Sequence, residues 1–151
     1  MSYTLDTNII LHILKNSRLV PKIRELFEQD TNPFLLISIV TKAELISIAI
    51  QRKWGEKKLK SLHDLLNQFL TVPVDSDQLV NKYAEIDSYS QGKLPDMPLP
   101  KGVTSINMGK NDLWIASTAS VTGSRLITTD QDFNHLIKVF LEVTVIDQKE
   151  I

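Results

Sequence analysis

Short apolar runs alternate along the chain with stretches whose apolar residues recur every three or four positions. The short runs are Ser2–Leu5, Phe34–Ser38 (FLLIS), Thr71–Val74, Arg125–Thr129 (RLITT) and Val143–Asp147, and each predicts a brief strand. The periodic stretches predict helices. Over Asn8–Lys15, Ile9, Ile10, Ile13 and Leu14 form one stripe. Pro21 opens a helix over Pro21–Gln29, because proline suits a first helical turn. Leu45, Ile48 and Ala49 share a face of Thr41–Lys53, and Gly55 breaks that pattern. Glu56–Phe69 carries Leu59, Leu62, Leu65, Leu66 and Phe69. Asp75 or Ser76 caps a helix over Asp77–Ser90, which carries Leu79, Val80, Tyr83 and Ile86. Gln91–Asn107, with Pro95, Pro98 and Pro100, has no period and predicts an irregular connection. Helix resumes over Gly109–Val121, stops at Gly123, and recurs briefly over Gln131–Ile137.

Strands separated by helices imply βαβ units and a largely parallel sheet. In such sheets ligands bind beyond the carboxyl ends of the strands. Asp6 directly follows the first strand and Asp130 directly follows RLITT, so both belong at that edge. Glu44 lies in the first turns of the helix after FLLIS and belongs nearby. Asp112 sits in the first turn of the helix feeding RLITT. We expect a helix that leads into a strand to start at the opposite edge. On that expectation Asp112 joins the others only if its helix approaches from a different direction.

Each acid alone has a purely structural use. Asp6 and Asp130 can cap the helices that follow them. Thr41-Lys42-Ala43-Glu44 has the spacing of a capping box, and Asp112 can complement a helix N-terminus. Together they pose an electrostatic problem. Two carboxylates about 6 Å apart repel by roughly 3 kcal/mol at an effective dielectric of 20. Lys42 and Lys110 are the only cations in the flanking segments. Hard divalent cations held by oxygen answer that imbalance, and Mg²⁺ typically combines few carboxylates with water and phosphate oxygens. A carboxylate-held metal pair is suited to phosphodiester hydrolysis.

Composition narrows the choice. At 151 residues the length is that of one domain. The absence of cysteine excludes disulfides and a thiolate zinc site, and fits a reducing cytoplasm. His12, His63 and His135 lack zinc-ligand spacing. MSYTLDTNIILHIL lacks a basic leader, so no signal peptide is expected, and no apolar run approaches the roughly 20 residues of a membrane span. A net charge of −1 argues against holding nucleic acid by bulk charge, so any such role rests on a local site.

The segments LDTNIILHIL (5–14), ISIVTKAELISIA (37–49), MGKNDLWIASTA (108–119) and LITTDQDF (126–133), in that order, resemble the PIN-domain ribonucleases, especially VapC-type toxins of prokaryotic toxin–antitoxin pairs. The resemblance implies one PIN domain over 1–151, a three-layer α/β/α sandwich around a mainly parallel sheet, and cleavage of RNA (tRNA or rRNA among the candidates) with Mg²⁺ or Mn²⁺. It places the family's acidic quartet on Asp6, Glu44, Asp112 and Asp130, with Asp132 as an additional metal ligand. Thr7, Asn8, Thr129 and Lys110 are the accompanying candidates for contact with substrate or ligands. It also implies a cytoplasmic protein, a cognate antitoxin and a homodimer, for which helices 8–15 and 41–53 offer a face. Three alternatives stand beside the toxin. One is a nuclease of RNA processing; another is a module that binds RNA or protein without cutting. The last is a phospho-aspartate phosphatase, disfavoured because Asn8 stands where that chemistry wants a second Asp.

Among the remaining features, Trp114 and the lysines at 57, 58 and 60 read as packing and a solvated helix face. The Pro-rich loop at 94–103 is long enough to be functional or simply an ordered surface loop.

Overall fold

Five short strands, each only three to five residues long, form one sheet in the order β3-β2-β1-β4-β5, with every neighbouring pair parallel. They are β1 (Ser2–Leu5), β2 (Phe34–Ser38), β3 (Leu70–Val72), β4 (Arg125–Thr128) and β5 (Val143–Val145). The computed structural model describes residues 1–150; Ile151, the last residue of the domain expected over 1–151, lies outside the described residues. Six helices connect the strands: α1 (Thr7–Leu14), α2 (Val20–Glu28), α3 (Ile39–Gln51), α4 (Glu56–Leu66), α5 (Asp77–Ser90) and α6 (Lys110–Thr122). A 3₁₀ segment, Gln131–Leu136, follows β4.

Successive strand residues point to opposite faces, so the sheet separates two cores. Tyr3, Leu5, Ile37 and Ile127 meet Ile9 and Ile10 of α1, Ile23 of α2, Leu45 of α3, and Leu62 and Leu66 of α4. Leu126 and Val143 meet Ile86 and Tyr89 of α5, Leu113, Ile115 and Ala119 of α6, and Phe133 after β4. The result is the expected α/β/α sandwich. No helix of the described residues is long and apolar enough to cross a membrane.

The strand order sets the site. From β1 the chain moves outward through β2 to β3, then returns across the sheet to place β4 on the other side of β1. Adjacent connections therefore leave in opposite directions at β1 and β4, which opens a crevice at their carboxyl ends.

The end of α6 sets the entry to β4. Gly123 adopts φ 64° and its N–H reaches the carbonyls of Ala119 and Ser120. A side chain there would meet nothing within 4 Å, so only the backbone angle restricts the position. Gly123→Ala is expected to cost about 1–2 kcal/mol. Gly123→Asn, which tolerates this conformation, should keep most of that stability. Urea denaturation of both variants checks the difference, and equal losses would contradict it.

Candidate active site

Asp6 is the first residue past β1. Its Oδ1 accepts from the Thr7 N–H at 2.7 Å and so caps α1. Its Oδ2 accepts from the Thr128 hydroxyl at 2.6 Å. Register explains that contact. Leu5 pairs with Ile127, which brings the next residues, Asp6 and Thr128, side by side. The Thr128 hydroxyl also accepts the Asp130 N–H at 3.0 Å, and Asp130 Oδ1 takes the Asp132 N–H at 2.8 Å. One buried hydroxyl thus ties the ends of β1 and β4 together.

Glu44 enters from the other side. Helix α3 starts at Ile39, because Ser38 is its cap and its hydroxyl accepts from the Val40 N–H at 3.1 Å. The capping-box spacing around Thr41 is therefore not used for capping. Glu44 lies beyond the first turn, and its Oε1 accepts from the Thr7 hydroxyl at 2.9 Å. Thr7 also reaches the Thr41 hydroxyl, at 3.3 Å.

Asp112 arrives on α6, and its placement corrects the expectation about helix direction. Helix α6 ends at Thr122, three residues before β4 begins, so its last turn lies at the amino edge of the sheet. Thirteen residues span about 20 Å, which carries its first turn to the carboxyl edge. Helix α5 already ends beside that start: the irregular stretch leaves and returns to the same place, with the Ile106 N–H on the Ser90 carbonyl at 2.7 Å. No unusual approach is needed.

The electrostatics show the convergence. Burial is the main reason Asp112 is pushed up to about 6, and the charges of Asp6, Asp130, Glu44 and Asp132 push in the same direction. Asp6 is also raised, first by burial, against the lowering effect of its two hydrogen bonds. Among the described residues none of these five carboxylates is in a salt bridge. All donors are carboxylate oxygens, the chemistry of a hard cation's shell. Among the described residues no group of three or more His, Cys, Asp or Glu side chains is arranged to hold a metal ion. Carboxylate oxygens are the donors that a hard cation such as Mg²⁺ combines with water or phosphate oxygens.

Of the accompanying candidates, Thr7 joins the network, whereas Asn8 and Lys110 are exposed and make no hydrogen bond to these acids. Thr129 makes none either; its neighbour Thr128 does. Trp114 packs on Tyr83 with ring centroids 4.3 Å apart. Lys58 lies over Trp54, and Lys60 pairs with Asp64, as on an ordinary solvated face.

Comparison with known proteins gives a consistent picture. Residues 3–139 match the PIN domain family. Ribonuclease VapC1 of Haemophilus influenzae (strain R2866) is 30% identical over 146 residues, covering 95% of this chain and 93% of that protein. The crystal structure of VapBC2 from Rickettsia felis, bound to a DNA fragment from its promoter, superposes with a TM-score of 0.73 at 26% identity. That match covers 97% of this chain and 100% of the other. VapBC-1 from nontypeable Haemophilus influenzae gives a TM-score of 0.72 at 27% identity, over 96% of this chain and 98% of that one.

Proposed function

This chain belongs to the PIN-domain family, with ribonucleases VapC among its relatives, and on that premise we propose that it is an endoribonuclease toxin that hydrolyses RNA phosphodiester bonds with Mg²⁺ or Mn²⁺. The observation that carries the reading is the uncompensated cluster of Asp6, Glu44, Asp112 and Asp130 at the carboxyl ends of β1 and β4. These four, with Asp132, would hold the metal. When bound, such an ion activates water and stabilises charge on phosphate and leaving oxygens.

The chain's own part is positioning. Thr128 and the Thr7 N–H fix both oxygens of Asp6, so its carboxylate cannot rotate away. Thr7 steers Glu44 toward the same crevice. Burial and the neighbouring acids push the metal-free Asp112 up to about 6, an unfavourable charge that a bound cation would relieve.

The solved VapBC structures support a cognate antitoxin as partner, and we place the pair in the cytoplasm, with the antitoxin restraining activity. We place a second copy or the antitoxin against α3, whose Ile39, Ile46 and Ile50 are exposed along one stripe. The test of the activity is cleavage of a pool of tRNA and structured RNA by the purified chain, beside Asp6→Asn. Discrete fragments that need Mg²⁺ or Mn²⁺, disappear in EDTA and are absent with Asp6→Asn are the expected result. Asn caps helices as well as Asp does, so that variant keeps α1 intact. If the chain retains RNA without cutting it under any condition, a binding module replaces the enzyme.

A further inference from the structure

A groove of about 520 Å³ runs from Glu44 along α3 and against the start of α6. This volume lies within the roughly 300–1,000 Å³ of small-ligand sites. We propose that it is a nucleobase subsite that sets which RNA sequence is cut; the proposal rests on the ribonuclease reading above.

The lining has the chemistry that an unpaired base requires. Ile48, one turn beyond Glu44, and Ala43 supply apolar surface for the face of a ring. Ser47, Gln51 and Asn111 supply polar edges. Gln51 Nε2 donates to the Ser47 hydroxyl at 2.9 Å, which leaves its carboxamide oxygen free to accept. The Asn111 carboxamide has no hydrogen-bond partner among the described residues and presents both a donor and an acceptor. Such carboxamides pair with base edges in two directions at once.

Position makes the groove relevant to cleavage. Glu44 is at once a wall of the groove and a member of the acidic cluster. Gln51 lies seven residues further along α3, about 10 Å along the helix axis. A strand with a phosphate at the acids therefore lays a neighbouring base, one or two nucleotides away, beside Ile48 and Gln51. The charge balance points the same way. With a net charge of −1 the chain has no bulk attraction for RNA, so discrimination falls to local contacts with bases. Sequence-specific RNA recognition mostly targets unpaired bases.

The test uses the full chain with Mn²⁺ and short single-stranded RNAs around a mapped cleavage site. Each position within about three nucleotides of the cut is varied through all four bases and an abasic sugar. Wild type is expected to discriminate on the order of tenfold at one position. Gln51→Ala and Asn111→Ala should each collapse that preference, mainly through KM. The abasic RNA should be cut slowly by wild type, with little further loss in the double variant, as expected when the two changes remove the same contact. Discrimination that survives both variants overturns the proposal, as does wild type that discriminates nowhere. Unchanged preference combined with lost binding of an antitoxin would make the groove a protein-docking surface instead. Wild type that cuts no RNA sinks the proposal together with the nuclease reading. Cleavage abolished by Asp6→Asn but indifferent to these two variants sinks the subsite alone.

Discussion

Asp112→Asn is expected to lower RNA cleavage by on the order of 100- to 1,000-fold while making the metal-free protein more stable. The two effects share one cause. In the folded chain Asp112 titrates at about 6 instead of its ordinary 3.8, because it is partly buried among other acids. Between those values the folded state binds more protons than the unfolded state. Stability from this group is therefore full below pH ~4 and is lost as pH rises through ~6. At neutral pH the loss is about 1–2 kcal/mol once solvent screening of a partly exposed carboxylate is allowed for. Asn cannot ionise and avoids it. In EDTA at pH 7.5 the variant should melt about 2–6 °C above wild type, and at pH 4 the two should coincide. Saturating Mn²⁺ should reverse the order, because only wild type gains the full binding energy of the ion. Melting curves at both pH values, with and without metal, decide the matter. A variant that cleaves like wild type, or a stability difference indifferent to pH, would defeat the argument.

The second large effect belongs to Thr128→Val. Valine keeps the shape but removes a hydroxyl that donates to Asp6 Oδ2 and accepts the Asp130 N–H. Its loss leaves a buried carboxylate oxygen and a backbone donor without their partner. A cost of about 1–3 kcal/mol in stability follows. Cleavage should fall about 10- to 100-fold, as it does when a group supporting a metal ligand is lost. The metal concentration for half-maximal activity should rise with it. Thr128→Ser restores the hydroxyl and should recover most of both losses. A metal titration of activity, run at a temperature where circular dichroism shows the variant fully folded, separates this role from simple unfolding, which would shift the midpoint by itself.

What could be read in advance depended on how local the determining interactions are. Asp6 and Asp130 stand directly after apolar runs, so their edge of the sheet follows from strand direction alone. The sides of the sandwich follow from periods: Leu62, Leu66 and Phe69 are buried where the helical stripe predicts. Boundaries depend on caps, and Ser38 caps α3 three residues before the capping-box spacing at Thr41 suggests. Thr128 was passed over for Thr129 because the choice rests on the register of β4 against β1, which neither segment encodes by itself. Asp112 was read as awkward through a wrong assumption about helix direction. The stretch after α5 carries no period, yet Leu94, Leu99 and Ile106 pack on the core and the Ile106 N–H bonds to the Ser90 carbonyl at 2.7 Å. Order of that kind comes from tertiary contact and leaves no repeating signal.

The sheet order has a consequence for when the protein becomes dangerous. Thr128 and Asp6 touch across 122 positions of chain, and β4 inserts between β1 and β5. During synthesis β1, β2 and β3 with the first five helices emerge early, but the strand that completes the crevice comes among the last. At about 5–20 residues per second, several seconds separate the first acid from the fourth. A chain still tethered to the ribosome, surrounded by RNA, has only part of its cutting edge. The crevice cannot close before β4 has emerged, which gives a restraining protein time to be waiting.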